Sequence, residues 1–259
     1  MGHILDQKVS IIGSGRVATS LVHAFKAKGI LVNEIYSRSI DHANKLSAAI
    51  SSSTATNSLD FSKSQSDIFI IAISDDAIGE VSKKISFPEI SLVAHTSGTV
   101  SLNTLKHSRS GIFYPLQTFT IGKKVDFQQV PILIDGKSNA DTQKLKELGA
   151  IISSQVSITT EAERQKLHIA AVFASNFVNR MLAASEEILN DTSLNLNILK
   201  PLVFESIQNA FESNPDQALT GPAKRGDQST IQNHLNALEE KPELKSIYME
   251  LTKMIISKT

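Results

Sequence analysis

The sequence predicts an α/β domain with a doubly wound, mainly parallel sheet, followed by an all-α domain. Short apolar runs alternate with helical or turn segments up to about residue 157, which is the pattern of a parallel sheet covered on both faces. The first run leads through a glycine-rich turn into a helix. From about residue 160 onward the periodicity becomes helical and strand patterns disappear. We therefore predict domains at 1–157 and 158–259.

The segment from Lys8 to Lys28 joins a buried strand to a helix that ends near Gly29. Its turn has the G-x-G-x-x-A form of the dinucleotide-binding fingerprint and therefore predicts a Rossmann-type domain. The first glycine permits a tight turn, and the second leaves room for a pyrophosphate on the N–H groups of the helix start. An ordinary strand-to-helix turn is the alternative. The predicted cofactor-binding residues here are Gly13, Ser14, Gly15, Arg16, Val17 and Ala18.

The residues after the second predicted strand, Val32 to Tyr36, indicate which dinucleotide binds. An NAD site would place an Asp or Glu there to bind the ribose 2′-hydroxyl. This chain has Ser37, Arg38 and Ser39 instead. Two hydroxyls and a guanidinium suit a 2′-phosphate, so we predict NADP as the cofactor.

Further apolar runs predict strands at 67–74 and 91–94. Asp75 and Asp76 follow the first of these, and we expect them to cap the next helix rather than to contact a ligand. The second run leads into His95 and then Thr96, Ser97 and Gly98, small residues that leave room for a nicotinamide ring. A serine and threonine turn beside a satisfied histidine is an equally good interpretation. The predicted nicotinamide-binding residues are Ser74, Thr96, Ser97 and Gly98.

The segment Tyr114 to Phe119 lies between two more predicted strands, 112–114 and 132–134. It is apolar enough to pack, yet it carries the phenol of Tyr114 and the amide of Gln117. We interpret it as a cleft wall whose two polar residues bind substrate, with a structural excursion as the alternative. A helix over 137–148 and a short last strand at 151–152 complete the predicted domain.

The all-α part is predicted to begin with a long helix from about Glu161 to Leu189. Its middle is apolar on nearly all sides, so we expect it to be buried. At helical spacing His168, Ser175, Asn176 and Asn179 share one face, which predicts a wet cleft beside them. A histidine at such a cleft can donate a proton near neutral pH, although a single histidine on a helix is more often structural.

After the next predicted helix, 198–211, comes a segment with two adjacent cations. Glycines bracket Lys224 and Arg225, and such a tight loop suits a carboxylate or phosphate, although a solvated loop is the more usual role. Asp227 is expected to cap the next helix or to contact substrate. The last helix places Ile247, Leu251, Met254 and Ile255 on one face, for packing or for a subunit contact.

Composition limits the classes of function. Lys+Arg and Asp+Glu are both 26, so no overall field favours nucleic acid or an anionic membrane surface. We find no apolar run long enough to predict a membrane span and no secretory signal pattern. The sequence contains no cysteine, which excludes disulfides and zinc–thiolate sites and fits the cytoplasm. No metal site is predicted.

The order of the motifs GSGRVA, SRS, HTSG, YPLQTF, HIAAVFASNFVN and LTGPAKRGD resembles that of bacterial Rossmann-like proteins with a C-terminal domain of unknown function, which are classed as NADP oxidoreductases. In plan these proteins are similar to pyrroline-5-carboxylate reductase, ketopantoate reductase and deazaflavin-dependent NADP reductases, with a helical domain like that of 6-phosphogluconate dehydrogenase. The resemblance implies a homodimer in which His168, Asn176 and Arg225 line the active cleft. One departure is Tyr114, where relatives tend to have histidine.

These features predict an NADP-dependent reductase of a small carbonyl or imine compound, for example a 2-keto acid. The nicotinamide would lie near Ser97 in a cleft between the domains. His168 or Lys224 would donate the proton, Asn176 would orient the reacting atom, and Arg225 would hold an anionic group. The alternative is a non-catalytic NADP-binding sensor or scaffold.

Overall fold

The computed structural model describes residues 6–50, 53–120 and 122–258. The chain forms two compact units that divide after Phe173. The predicted domain boundary after residue 157 falls instead in the last strand of the sheet, and it stays a prediction.

The first unit contains one eight-stranded sheet in the order β3-β2-β1-β4-β5-β6-β7-β8. All pairs are parallel except β6 with β7, which run antiparallel. The predicted doubly wound, mainly parallel sheet is therefore confirmed. The strands are β1 Lys8–Ile12, β2 Leu31–Tyr36, β3 Thr54–Thr56, β4 Ile68–Ile71, β5 Leu92–His95, β6 Ser110–Pro115, β7 Ile132–Gly136 and β8 Val156–Ile158.

Both faces of this sheet are buried, which explains why its central strands are continuously apolar rather than alternating. In β4, for example, Ile68 and Ile70 pack into one core while Phe69 and Ile71 pack into the other. Successive side chains of a strand point to opposite faces, so a run of four apolar residues supplies both layers.

The described residues contain eleven α-helices. Where capping side chains are present they mark the starts: Thr160 and Glu163 form a reciprocal capping box at α5, and Asp227 caps α10 as predicted. The helices are α1 Arg16–Ala27, α2 Ile40–Ser47, α3 Asp75–Lys84, α4 Asn139–Ile152, α5 Glu161–Ala171, α6 Val178–Leu189, α7 Lys200–Glu212, α8 Pro215–Ala218, α9 Pro222–Arg225, α10 Gln228–Ala237 and α11 Pro242–Ile256.

Two local predictions were wrong. Residues 151–152 end α4 instead of forming a strand, and the last strand comes a few residues later as β8. Asp75 and Asp76 do not cap α3. Ser74 occupies the cap position without a side-chain bond, and the two aspartates lie in the first turn, where negative charge favours the helix dipole.

The second unit is helical, as predicted, but its apolar residues are much less buried than expected. Its buried core cluster consists of Ala184, Leu238 and Leu244, with Tyr248 packed against it. The prediction that the middle of the long helix is buried was also wrong, because Ile169 is 59% exposed. Apolar periodicity identified the helices correctly, but it did not indicate what covers them.

The turn after β1 packs against the backbone at Ala72, the residue after β4. Gly13 has a φ of 134°, and a Cβ there would lie 2.2 Å from the carbonyl oxygen of Ala72. At Gly15 φ is −76°, and a Cβ would have no atom within 4 Å. The first glycine is therefore required by the fold, whereas the second is not required by the packing of the protein itself.

We predict that Gly13→Ala lowers the free energy of unfolding by about 2–4 kcal/mol, because it combines a strained φ with overpacking against Ala72. The matched variant Gly15→Ala should cost less than about 1 kcal/mol. Urea unfolding of both variants measures the difference. Equal stability of the two variants would contradict this account of the turn.

Candidate functional site

The carboxyl ends of β1, β4, β5 and β6 meet at one edge of the sheet, which is where open α/β folds bind ligands. Most of the predicted cofactor residues follow these strands. Gly13 follows β1, Ser74 follows β4, and Thr96 to Gly98 follow β5. Tyr114, at the end of β6, lies at the same edge.

The glycine turn has the geometry of an anion-binding site. It leads into α1 at Gly15, where no side chain caps the helix and the first turn carries no acidic residue. The first N–H groups of a helix lack intrahelical partners, and together with the helix dipole they favour a phosphate. The open space over Gly15 leaves room for such a group. The backbone is held there by the Gly13 N–H, which donates to the Tyr36 carbonyl at 2.8 Å.

The residues predicted to bind a 2′-phosphate lie beside this turn. The Ser14 hydroxyl donates to the Ser37 hydroxyl at 2.8 Å, so the end of β2 is joined to the glycine turn. Ser37 is buried, Arg38 is exposed, and Ser39 directly precedes α2. Val17 and Ala18 pack inward, and of these only Ala18 is fully buried, so they shape the helix start rather than offer polar contacts.

A cavity of about 1480 Å³ extends from the turn along α1 and α2 to the segment before β7. It shares Ser14, Gly15 and Arg16 with the predicted cofactor site. Most of its lining belongs to other parts of the two helices and to residues 120 and 122–128. This cavity therefore reaches one end of the predicted site and is not the site as a whole.

The ends of β4 and β5 are joined by polar contacts. The Thr99 hydroxyl donates to Asp75 Oδ2 at 2.8 Å, and the Ser97 hydroxyl accepts from the Val100 N–H at 3.0 Å. Thr96 and Ser97 are buried, whereas Ser74 is exposed. The loop after β5 is thus ordered by its own side chains, as the serine and threonine turn interpretation expected.

His95 belongs to the interior. It is fully buried, and its Nδ1 accepts from the Ser97 N–H at 3.2 Å. Burial lowers the pKa of His95 to about 4, so the ring is neutral at physiological pH. Its Nε2 has no hydrogen-bond partner among the described residues.

The main contact found at this edge joins Tyr114 to His168. The Tyr114 hydroxyl lies 2.9 Å from His168 Nδ1, and the two rings are tilted by 55° with centroids 6.0 Å apart. Burial raises the pKa of Tyr114 to about 12, so the phenol keeps its proton. Both side chains are partly buried. The predicted proton donor, His168, and the predicted substrate-binding residue Tyr114 are therefore joined by a hydrogen bond.

Gly98 packs against this pair. A Cβ at Gly98 would lie 2.6 Å from His168 Nδ1 and 2.8 Å from Tyr114 Cζ. Any side chain at this position would push the two rings apart. The glycine of the HTSG motif is therefore explained by the Tyr114–His168 pair.

Arg164, which the sequence prediction missed, anchors α5. It is fully buried, its Nη2 donates to the Val100 carbonyl at 2.7 Å, and its Nη1 lies 3.9 Å from Asp135 Oδ2 in β7. His168 follows four residues later on the same helical face. Burial also lowers the pKa of Arg164 below its ordinary value. In sequence Arg164 stands among charged residues, so nothing distinguished it from a solvated side chain.

The remaining predicted site residues lie elsewhere. Gln117 is exposed, and its side-chain oxygen accepts from the Thr118 N–H, so it needs no buried partner. In the second unit Asn176 is exposed. The predicted cationic loop is instead a helical turn, α9, in which Lys224 is partly buried and Arg225 is exposed. The Asp227 carboxylate is occupied by Thr230 and Ser229, which lower its pKa below the ordinary value.

The shared face predicted for the long helix rested on 3.6 residues per turn throughout. The segment Val172–Phe177 is π-helical, and its wider turn changes the angular spacing of every later residue. The spacing argument therefore does not extend from His168 to Asn176 or Asn179. Segments of this kind occur frequently at functional sites, but sequence periodicity does not reveal them.

Two negative observations apply to the described part of the chain. It contains no cluster of three or more His, Asp or Glu side chains that could hold a metal ion. No helix in it has both the length and the apolar character needed to cross a bilayer. The expectation of no metal site stays a prediction.

Comparisons with known proteins agree with this architecture. Residues 8–97 match the family described as NADP oxidoreductase, coenzyme F420-dependent. Residues 130–255 match a domain of unknown function, DUF2520. No curated protein matches the chain.

Several solved structures are similar over nearly the whole chain. A Bacteroides fragilis protein, provisionally named an NADP oxidoreductase, is 31% identical, with a TM-score of 0.90 over 98% of this chain and 100% of its own. Pyrroline-5-carboxylate reductase from Streptococcus pyogenes is 15% identical, with a TM-score of 0.64 over 97% and 98%. A reductive aminase from Aspergillus terreus, solved with NADPH, is 12% identical, with a TM-score of 0.73 over 97% and 94%.

At such low identity the last two share only the fold with this chain. The Bacteroides fragilis protein is a closer relative at 31% identity. The two matched sequence families cover the Rossmann part of the chain, residues 8–97, and its C-terminal part, residues 130–255. The protein therefore belongs to the family of NADP oxidoreductase-like proteins in which a Rossmann domain precedes a C-terminal domain of unknown function.

Proposed function

We propose that this protein is an NADP-dependent reductase of a small carbonyl or imine compound that carries an anionic group. The observation that carries the proposal is the pairing of two features at one sheet edge. An uncapped helix start follows the open glycine after β1, and the Tyr114–His168 pair lies at the carboxyl end of β6 on the same edge of the sheet. The first feature suits a dinucleotide phosphate, and the second suits proton transfer.

The proposed cofactor is NADP. Its pyrophosphate would rest on residues 13–18, and Ser37, Arg38 and Ser39 would bind the 2′-phosphate. The exposed guanidinium of Arg38 is available for this role. Support also comes from the similar fold of a reductive aminase that was solved with NADPH. When bound, NADPH supplies the hydride.

For the nicotinamide we propose a position beside Ser74 and the loop Thr96 to Gly98. His168 would then protonate the oxygen or nitrogen of the reduced group, with Lys224 as the alternative donor. Asn176 would orient that atom, and Arg225, with Tyr114, Gln117 and Asp227, would bind the rest of the substrate. The cations Lys224 and Arg225 support a substrate with a carboxylate or phosphate, such as a 2-keto acid.

The competing function is a sensor or scaffold that binds NADP without turning it over. Such a protein needs the glycine turn but has no need of a proton donor. The Tyr114–His168 hydrogen bond favours the enzyme, and the absence of a side chain at Gly98 leaves room for the two rings.

The cofactor proposal predicts that NADPH raises the melting temperature more than NADH does. Arg38→Ala should weaken NADPH binding by about 10- to 100-fold, because a hydrogen bond to a charged group contributes about 1.5–3 kcal/mol. NADH binding should be unchanged, since NADH lacks the 2′-phosphate. Thermal shift and calorimetric titration measure both effects.

Lys83→Ala, which removes an exposed cation on α3 outside the predicted site, is the control for Arg38→Ala. It should bind both dinucleotides as the wild type does. Equal binding of NADPH and NADH by the wild type would overturn the choice of cofactor.

The catalytic proposal predicts turnover in a reductase screen over 2-keto acids and cyclic imines. Coenzyme F420 belongs in the screen as a hydride partner, because it appears in the description of the family matched by residues 8–97. His168→Ala should lower kcat by about 10²–10⁴-fold, the usual contribution of a general acid, while NADPH still binds. His234→Ala, at an exposed histidine of α10 outside the proposed site, serves as the control. Unchanged turnover in His168→Ala would remove His168 from the mechanism.

We also propose that the protein is a homodimer. The second unit has a small buried core, while Phe204, Ile207 and Phe211 share one face of α7 at i, i+3 and i+7 and are 61%, 43% and 89% exposed. An exposed apolar helix face of this kind is typical of an interface. A second copy would provide the burial that the helices lack.

We further propose a cytoplasmic location, which rests on the absence of cysteine and can be tested by cell fractionation.

Light scattering after gel filtration should give twice the 28.1 kDa of one chain. Phe211→Asp should yield monomers, because a carboxylate would be buried at the contact. Ile90→Asp, which alters a residue that is 82% exposed in the first unit, should leave the dimer intact. A monomeric wild type would contradict the proposal.

A further inference from the structure

The hydrogen bond between Tyr114 and His168 has a preferred direction. The phenol keeps its proton at neutral pH, because burial raises the pKa of Tyr114 to about 12. His168 Nδ1, at 2.9 Å, is the hydrogen-bond partner found for this hydroxyl among the described residues. A protonated phenol beside an imidazole nitrogen forms the stronger bond as donor, which leaves Nδ1 without a proton.

The position of the ring proton follows from this direction. In a neutral imidazole one nitrogen carries the proton and the other accepts, and the bond made by one nitrogen decides the tautomer. If Nδ1 accepts from Tyr114, the proton is on Nε2. That nitrogen lies on the far side of the ring from the phenol contact.

We infer that Tyr114 is a positioning residue that holds His168 in the Nε2–H tautomer, so that the ring presents a hydrogen-bond donor to the substrate. The inference rests on the proposed reductase function and gives Tyr114 a different task from the substrate contact predicted for it. Gly98 is part of the arrangement, because a Cβ there would lie within 3 Å of both rings.

The proton transfer balances as follows. With NADPH bound, the carbonyl carbon of the substrate would accept hydride from the cofactor, which is thereby oxidised, and the π pair of the C=O bond would move to oxygen. The oxygen would take the Nε2 proton and Nδ1 would take the phenol proton, which leaves an alcohol, a neutral His168 protonated on Nδ1 and a Tyr114 phenolate. Because both side chains are only partly buried, water can then protonate Nε2 while Nδ1 returns its proton to the phenolate, which restores the starting tautomer and leaves hydroxide.

The chain contains a second pair of the same kind that serves as a control. His234 Nδ1 lies 2.9 Å from the Tyr248 hydroxyl, with the rings at 83°. His234 is exposed, and neither residue belongs to the proposed site. Tyr248→Phe therefore removes a matched phenol–imidazole bond without touching Tyr114.

The test is ¹⁵N NMR of the histidine ring nitrogens in the full chain at neutral pH, with His168 assigned by the signals lost in His168→Asn. The wild type should show a protonated Nε2 and an unprotonated, hydrogen-bonded Nδ1. Tyr114→Phe should move the Nδ1 signal of His168 toward that of a free nitrogen and leave His234 unchanged. Tyr248→Phe should move the Nδ1 signal of His234 toward that of a free nitrogen and leave the His168 signals unchanged.

Gly98→Ala provides a second variant if Tyr114→Phe folds poorly, and it should shift the His168 signals in the same direction. A wild-type His168 protonated on Nδ1 would overturn the inference. So would an Nδ1 signal that does not respond to Tyr114→Phe.

A kinetic measurement separates this inference from the proposed function. Tyr114→Phe should lower kcat by about tenfold with the KM for NADPH unchanged, and an unchanged kcat would overturn the positioning role. If the NMR result is as expected but no substrate is reduced, the reductase proposal fails and the tautomer assignment stands. An active reductase whose His168 carries its proton on Nδ1 overturns the inference alone.

Discussion

The buried guanidinium of Arg164 is the interaction on which the arrangement of the site depends. Taking a charge out of water costs several kcal/mol unless hydrogen bonds and an opposite charge offset it. Here that cost is offset only in part: Nη2 donates to the Val100 carbonyl and Nη1 lies 3.9 Å from the Asp135 carboxylate, while Nε and Nη1 have no hydrogen-bond partner among the described residues. Val100 belongs to the loop after β5 and Asp135 to β7, so one side chain ties α5 to two parts of the sheet edge. His168, one turn further along α5, is thereby brought to Tyr114.

The glycine turn shows the same dependence of function on packing. Gly13 is required because the backbone of β4 leaves no space for a side chain, whereas Gly15 faces open space. The two glycines of one motif thus answer to different constraints. No contact among the described residues requires the second glycine, and the open space above it is compatible with the phosphate contact proposed for it.

Sequence reasoning succeeded where the signal is local. The six inner strands, the glycine turn, the Gly29 helix end and the Asp227 cap depend on neighbouring residues, and short apolar runs, turn residues and helical patterns reveal them, whereas the edge strands β3 and β8 were missed. It failed where the partner is distant in the chain. Tyr114 and His168 are 54 positions apart, and the contact of Arg164 with Val100 spans 64. No pattern within a short window can indicate such contacts. The π-helical segment was missed for a related reason, since periodicity arguments assume one constant turn.

The buried interior of the long helix was predicted wrongly for a different physical reason. An apolar stripe states that burial is favourable, but it does not identify the surface that provides it. In the first unit the sheet provides that surface, and the hydrophobic cores on both of its faces are buried. In the second unit the short helices α8 and α9 add little area, and α7 keeps Phe211 exposed. The exposed apolar residues of the long helix and of α7 are therefore the observations from which the homodimer is proposed.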